Sequence, residues 1–180
     1  ALLAMFFLGA ATSSSAQTSV PAPVGLVSWW SGDGNALDAR SRNNGTLQNG
    51  ATFGAGNVGQ AFSFDGINDV LSAPKSNGLN FGTGDFSVEY WVKFNNVASL
   101  GGMMSGDNFG QVGNFNGWLF NNDSGQIGLL VRQASVGSVT ARVAQSNFSN
   151  GVWYHFAGVR SGRSVRFYVN GVLSASATEA

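Results

Sequence analysis

The sequence predicts an all-β fold, an antiparallel jelly-roll β-sandwich, and three observations support this prediction. Short apolar segments alternate with turn residues along residues 24–180. The chain has 26 glycines, a residue type that suits tight turns and bulges. No segment keeps a helical hydrophobic period over three turns. Many short strands joined by regular turns are typical of sandwiches and jelly rolls.

The clearest predicted strand covers residues 86–94. Its apolar side chains alternate onto one face, which consists of Phe86, Val88, Tyr90, Val92 and Phe94. The opposite face carries Ser87, Glu89, Trp91 and Lys93. We expect the apolar face to pack against a second sheet, because a strand with one apolar side must bury that side.

Shorter strands are predicted on both sides of this one. They cover residues 24–30, 43–47, 51–53, 61–65, 69–73, 117–121, 127–133, 139–144, 152–160, 165–169 and 172–177. Asn170-Gly171 predicts a tight hairpin between the last two, because both residue types tolerate positive φ. Residues 121–125 predict a second hairpin turn.

The overall composition excludes several classes of protein. Nine basic and nine acidic residues give a formal net charge of zero, so the chain lacks the basic surface that nucleic acids or anionic membranes require. It has no cysteine, which excludes disulfides, thiolate metal sites and cysteine nucleophiles. Only 10% of its residues are charged. A surface of neutral polar residues suits a sugar ligand, and it is also common in exported β-rich domains.

The N-terminus predicts export from the cell. Residues 1–11 are almost wholly apolar, and small polar residues follow as far as Ala16. This pattern predicts a signal peptide over residues 1–16, incomplete at its N-terminus and cleaved before Gln17. A linker over residues 17–23 and one domain over residues 24–180 follow. We therefore expect a secreted or cell-surface protein with no membrane insertion after cleavage; the alternative is a buried apolar N-terminal segment.

Six stretches of the chain together resemble one family, the laminin-G-like (LamG-like) domains of the concanavalin A-like lectin-glucanase jelly rolls. The stretches are 25–38 (GLVSWWSGDGNALD), 44–46 (NGT), 59–70 (GQAFSFDGINDV), 84–93 (GDFSVEYWVK), 153–157 (WYHFA) and 167–171 (FYVNG). Each motif is weak alone, but their order matches that of the family. The resemblance implies a concanavalin A-like β-sandwich that lacks its closing strand, because that strand would follow Ala180. It also implies other domains in a longer chain.

The sequence predicts no catalytic residues. Because the resembled fold also includes glycoside hydrolases, an acid-nucleophile pair must be considered. Glu89 and Glu179 are the only two glutamates, and Glu179 is the second-last residue. Asp85 lies about 13 Å from Glu89 by strand rise, whereas a retaining pair needs about 5 Å. His155 is the only histidine and has no Gly-x-Ser-x-Gly motif to accompany it, so a packed or hydrogen-bonded role is favoured.

A structural calcium ion is the one cofactor that the sequence suggests. Asp33, Asn35 and Asp38 supply three oxygen-bearing side chains within one glycine-containing turn. Relatives with this turn often bind calcium, so the resemblance implies the same here. The alternative is that these side chains only stabilise the turn through Asx-type hydrogen bonds.

Ligand-binding residues are predicted in and beside the glycine- and asparagine-rich segment 101–116, since variable loops often carry binding residues. Trp118 is the candidate aromatic platform, with Asp107, Asn108 and Asn116 as hydrogen-bonding partners. Trp91 is a second candidate aromatic residue. Both tryptophans also fit positions in the core.

These observations favour a non-catalytic extracellular binding or adhesion module, with carbohydrate as the first ligand class and calcium as an aid. A structural or protein-interaction module of a larger surface protein is the second hypothesis. The third is an accessory domain of a secreted glycoside hydrolase. The expected partner is therefore a carbohydrate or an extracellular protein.

Overall fold

The computed structural model of the chain describes residues 21–74, 78–79, 81–99, 101–107, 117–133 and 137–179. Twelve β-strands and one 3-10 turn, Gln145–Asn147, account for the regular structure of these residues. No helix in the described ranges has the length and apolar character needed to span a membrane. The predicted signal peptide, residues 1–16, lies outside the described residues, as does the predicted linker up to residue 20.

Eight of the strands form two antiparallel four-stranded sheets. The first, called the β5 sheet, has the order β12-β11-β10-β5; the second, called the β7 sheet, has the order β6-β7-β8-β9. Their strands are β5 (Phe86–Lys93), β6 (Gly101–Asp107), β7 (Gly117–Asp123), β8 (Gln126–Gln133), β9 (Gly137–Ala144), β10 (Trp153–Ser161), β11 (Ser164–Val169) and β12 (Val172–Thr178). The other four form two pairs, β1 (Thr46–Gln48) with β4 (Val70–Ser72) and β2 (Thr52–Ala55) with β3 (Gln60–Ser63).

The hydrophobic core lies between the two large sheets and is rich in phenylalanine. Phe120 of β7 and Phe156 and Phe167 of the β5 sheet are fully buried, and their rings meet at centroid distances of 5.0 to 6.1 Å. Burying one such ring contributes roughly 2–3 kcal/mol to folding. Gly158 allows this close approach, since a Cβ there would lie 2.5 Å from Phe120 Cζ. The predicted two-layer antiparallel β-sandwich is thus confirmed.

Strand β5 confirms the predicted alternation of faces. Val88, Tyr90 and Val92 pack against the core, whereas Glu89 and Trp91 are exposed on the other side. Because successive side chains of a strand point to opposite faces, the whole β5 sheet has one core face and one outer face.

The predicted hairpins are both present. Asn170 and Gly171 join β11 to β12 with φ values of 50° and 79°. Ser124 and Gly125, with φ values of 52° and 73°, join β7 to β8. This second turn lies at the end of the predicted 121–125 segment, because β7 continues to Asp123.

The predicted strand over residues 24–30 is wrong. Only Trp30 makes an isolated bridge there, to Asp38. Gly25 has a φ of 84°, which is incompatible with an extended strand. The polar groups of this segment instead bond within the N-terminal region: Trp29 N donates to the Asp38 carboxylate and the Trp30 indole donates to the Asn43 carbonyl.

Candidate functional site

Trp118, the predicted ligand platform, lies in the core. It is only 7% exposed, and its ring lies 6.1 to 6.2 Å from those of Phe81, Phe86 and Phe120. Strand β7 lies between β6 and β8, and the Trp118 side chain belongs to the core cluster between the sheets. Trp118 therefore has the packing contacts of a core residue. Its role as a ligand platform stays a prediction.

Of the other predicted ligand residues, only Asp107 belongs to the described part of the chain. Asp107 is the last residue of β6 and lies opposite Gly117. Asn108 and Asn116 lie outside the described residues. Their binding roles stay predictions.

Asp38, one of the predicted calcium ligands, is 2% exposed and holds a backbone loop together. Its Oδ1 accepts hydrogen bonds from Trp29 N and Arg40 N, and its Oδ2 accepts bonds from Arg42 N and Asn43 N. Burial alone would raise the pKa of Asp38, but these four backbone donors outweigh it and lower the pKa to about 2. The carboxylate is thus ionised and already engaged by four N–H groups.

Asp33 and Asn35 also bond to backbone groups of their own turn and its neighbour. Asp33 Oδ1 accepts a hydrogen bond from Gln60 N at 2.7 Å. Asn35 Oδ1 accepts one from Leu37 N, and its Nδ2 donates to Asp33 O, an Asx-type arrangement. Among the described residues, no group of three or more histidine, aspartate or glutamate side chains is placed to hold a metal ion. Calcium binding stays a prediction.

The outer face of the β5 sheet carries a different set of chemistry-bearing side chains. Trp91 is 52% exposed, and its ring lies 5.3 Å from that of His155, directly opposite it on β10. His155 Nε2 lies 3.7 Å from Glu89 Oε2, and the Glu89 side chain is 70% exposed. An indole, an imidazole and a carboxylate therefore share one solvent-facing surface.

This surface continues one row along the strands. Lys93 lies opposite Trp153, and its Nζ lies 5.0 Å from the centre of that indole ring. We call the outward-facing side chains Glu89, Trp91, Lys93, Trp153 and His155 the Trp91 platform. It combines two indole rings with groups of both charges, within five residues of β5 and three residues of β10.

The surface next to the Trp91 platform is recessed at Ala157. Ala157 of β10 lies opposite Glu89 on one side and Tyr168 of β11 on the other. Because a methyl group stands between two longer side chains, the surface is recessed there. A ligand lying on Trp91 would therefore find hydrogen-bonding groups at the Glu89 side of this recess.

Sequence reasoning found part of this surface. The alternation placed Glu89, Trp91 and Lys93 on one face of a strand. Trp91 was a candidate aromatic residue that also fitted the core, and His155 was expected to be packed or hydrogen-bonded. What it missed was the pairing of β5 with β10, which brings His155 beside Trp91. The matching alternation of Trp153, His155 and Ala157 was the available signal.

Three carboxylates that the sequence analysis considered, those of Asp85, Glu89 and Glu179, each face a different polar group. Asp85 Oδ1 accepts a hydrogen bond from Gly162 N. Glu89 faces His155, and Glu179 accepts hydrogen bonds from the buried Arg160 guanidinium at 3.0 and 3.4 Å. Each of these carboxylates therefore has its own, separate partner.

Comparison with known proteins identifies the fold family. The sequence profile of the concanavalin A-like lectin/glucanases superfamily matches residues 64–180, more than half of the chain. No curated protein sequence matches the chain.

Two solved structures are similar to the chain. The binding domain of Paraclostridial Mosquitocidal Protein 1 has a TM-score of 0.60 at 18% identity, over 79% of this chain and 37% of that chain. Domain 4 of AbnA, a GH43 extracellular arabinanase from Geobacillus stearothermophilus, was solved in complex with arabinotriose; it has a TM-score of 0.49 at 19% identity, over 80% of this chain and 70% of that chain. The first similarity shows a shared fold, and the chain spans little more than a third of that protein's length.

Proposed function

The chain belongs to the concanavalin A-like lectin/glucanases superfamily, and on that premise we propose that it is a non-catalytic carbohydrate-binding module whose ligand lies on the Trp91 platform. The observation that carries the proposal is the exposed indole of Trp91, flanked by His155 and Glu89. An exposed aromatic ring grouped with polar side chains is typical of a ligand-binding surface.

The chemistry of the platform suits a neutral sugar. The C–H face of a pyranose or furanose ring can lie flat on an indole, while its hydroxyl groups need both donors and acceptors. Glu89 accepts hydrogen bonds, Lys93 donates them, and His155 can do either. The opposite charges of Glu89 and Lys93 leave the platform with no strong preference for a charged ligand.

A binding role without catalysis agrees with the separate environments of the carboxylates. Hydrolysis would need two carboxyl groups that face each other across a glycosidic bond. Asp85 and Glu179 are each held by other groups, which leaves Glu89 as the exposed carboxylate of the platform. One carboxylate on an open surface can orient a sugar but lacks the second group that retaining or inverting hydrolysis uses.

The proposed carbohydrate ligand agrees with the predicted export of the chain. A secreted or surface-bound module would meet polysaccharides or glycoproteins outside the cell, as the predicted signal peptide over residues 1–16 implies. We therefore propose an extracellular location for this domain.

The proposal is tested by binding of the purified chain to a glycan array, followed by calorimetry with the best ligand. Trp91→Ala should weaken binding about tenfold or more, because an aromatic anchor at a binding site contributes on the order of 2 kcal/mol. Trp29→Ala is the matched control. Trp29 is 57% exposed and does not lie on β5 or β10, the strands that form the platform, so its loss should leave affinity unchanged.

Two outcomes would defeat the proposal. Binding that Trp91→Ala leaves intact would place the ligand elsewhere, and an array with no positive glycan would remove the carbohydrate claim. The same array run with chelator tests calcium. We expect weaker binding or a lower melting temperature in chelator if Asp33, Asn35 and Asp38 hold the ion, and no change in either if they only stabilise their turn.

A further inference from the structure

The outer face of the β5 sheet carries another aromatic ring beyond the Trp91 platform. Tyr168 of β11 lies opposite Ala157 of β10, on the same face as Trp91, and it is partly exposed. Its neighbour Phe167 belongs to the other face and is fully buried in the core. The faces of β11 therefore alternate as those of β5 do, and Tyr168 is available on the outer side.

The positions of Trp91 and Tyr168 in the sheet set the distance between them. Strand β10 lies between β5 and β11, so the two residues are two strand spacings apart. Trp91 lies opposite His155 and Tyr168 lies opposite Ala157, two residues further along β10. With strands about 4.8 Å apart and a rise of about 3.3 Å per residue, the two Cα atoms lie about 12 Å apart.

This separation is longer than one sugar ring. A single sugar can therefore rest on one of the two aromatic side chains but not on both. An extended chain of sugars reaches both when one further unit lies between the two stacked ones. The smallest ligand that uses both aromatic side chains is thus a trisaccharide.

The surface between the two aromatic side chains suits the middle unit of such a chain. The line from Trp91 to Tyr168 crosses β10 between His155 and Ala157. The small side chain of Ala157 leaves room there for a sugar ring. The His155 imidazole and the exposed Glu89 carboxylate lie beside this position and can form hydrogen bonds with sugar hydroxyl groups.

The charges along this line favour a neutral ligand. Glu89 Oε2 lies 3.7 Å from His155 Nε2, and the Lys93 ammonium group lies over the Trp153 ring, on the far side of Trp91 from Tyr168. An acidic sugar in the middle position would bring its negative charge close to the Glu89 carboxylate, and like charges repel. A neutral chain avoids this repulsion.

We propose that this face binds an extended neutral oligosaccharide of at least three units, with its end units stacked on Trp91 and Tyr168 and its middle unit over Ala157. This ligand assignment rests on the proposed carbohydrate-binding function and deepens it. Once one sugar rests on Trp91, the other end of the same chain is held close to Tyr168. The second contact then adds affinity as an intramolecular step.

The dependence of affinity on ligand length tests this assignment by calorimetry of the purified chain. The probes are cello-, xylo-, manno- and arabino-oligosaccharides of one to five units. For at least one of these series we expect the affinity to rise about tenfold or more between one unit and three, because a second aromatic contact is added. Beyond three units the affinity should change less than about twofold, since no further aromatic contact is gained.

Substitutions of Tyr168 isolate the contribution of the second aromatic contact. Tyr168→Ala should remove most of the gain with length, so that the trisaccharide binds about as weakly as the single sugar. Tyr168→Phe keeps the ring and should retain the gain. Ser176→Ala is the control on the same face, because Ser176 is exposed on β12 opposite Arg166, away from the line between the two aromatic side chains. It should leave every affinity at the wild-type value.

Ala157→Leu tests the middle of the line independently. The larger side chain would fill the recess between Glu89 and Tyr168 and should lower the trisaccharide affinity about tenfold or more, because the middle unit loses its place. Ala157 faces outward, so the substitution leaves the core side chains unchanged. Circular dichroism of every variant identifies any loss of folding.

Each result supports or overturns the assignment of the ligand. An affinity that rises in none of the series between one unit and three overturns it, as does a gain with length that survives Tyr168→Ala or Ala157→Leu. Absence of binding in all four series also overturns it. The carbohydrate-binding proposal fails by different results, namely a glycan array with no positive glycan or binding that Trp91→Ala leaves intact.

Discussion

On the core face of the β5 sheet, Phe156 and Phe167 are fully buried among other aromatic rings, whereas on the outer face Trp91 is 52% exposed and its ring contacts that of His155. The two faces belong to the same strands and differ only in the parity of residue number. Aromatic side chains on one face therefore hold the sandwich together, while those on the other are available to a ligand.

The two faces of the β5 sheet also differ in how they accommodate charged side chains. On the core face Arg160 is 4% exposed, and its guanidinium is bonded to Glu179, Gly82 O and Gly162 O. On the outer face Lys93 is exposed and rests over an indole ring. A buried charge needs partners to offset its lost hydration, and a surface charge does not. Substitutions on the two faces should thus separate stability from binding.

The largest effect is expected for Phe156→Ala. Its ring lies within 6.4 Å of those of Tyr90, Phe148, Tyr154 and Phe167 at the centre of the core. Removing it should lower the free energy of unfolding by about 3–5 kcal/mol, the sum of lost burial and a new cavity. Urea denaturation measures this loss, and a change below about 1 kcal/mol would contradict the assignment of Phe156 to the core.

Arg160→Ala should cost about 3 kcal/mol, since it leaves the Glu179 carboxylate largely buried without its cation. Lys93→Ala on the outer face is the matched comparison and should cost less than about 1 kcal/mol. The same urea titrations measure both. Equal losses of unfolding free energy for the two variants would contradict the proposed difference between the core face and the outer face.

Asp38 lies on neither face of the β5 sheet. The pH dependence of the free energy of unfolding tests its role in the N-terminal loop. Its folded pKa of about 2 is below the ordinary value of 3.8, so its contribution is present above about pH 4 and is lost as the pH falls through the folded pKa. The shift corresponds to about 2 kcal/mol. Asp38→Asn should remove this part of the acid sensitivity, measured as unfolding free energy at about pH 5 and pH 2. An identical acid profile in the variant would refute the role of the carboxylate.

The smallest effect on stability is expected for Trp91→Ala. Because its ring is half exposed and packs on one neighbouring side chain, its removal should cost less than about 1 kcal/mol. Trp118→Ala should cost about 3–5 kcal/mol by the same measurement, since that indole lies in the core. A reversed order of the two losses would show that the tryptophans had been assigned to the wrong surfaces.

Much of the fold was predictable because it depends on local patterns. The alternation of residues 86–94 requires no knowledge of the rest of the chain, and Asn170-Gly171 selects a hairpin through its own backbone preferences. The strand prediction for residues 24–30 was wrong because it relied on their strand-like composition. Gly25 has a positive φ, and Trp29 N donates to the Asp38 side chain instead of to a neighbouring strand.

The site was harder to predict because it depends on tertiary neighbours. Trp118 and Trp91 both lie on strands, and their exposure depends on which face of the folded sheet each side chain occupies. Trp118 meets Phe86 and Phe120 between the sheets, whereas Trp91 faces outward. The pairing of His155 with Trp91 likewise depends on the long-range register of β5 and β10.

The claim that carbohydrate binds on the outer face is tested most directly by the indole N–H signals of the five tryptophans in a ligand titration followed by NMR. We expect the Trp91 signal to move with saturation, accompanied by smaller changes at Trp153, while the signals of Trp118 and Trp29 stay in place. Saturable movement of the Trp118 signal with Trp91 unchanged would contradict the assignment and return the ligand to the other sheet.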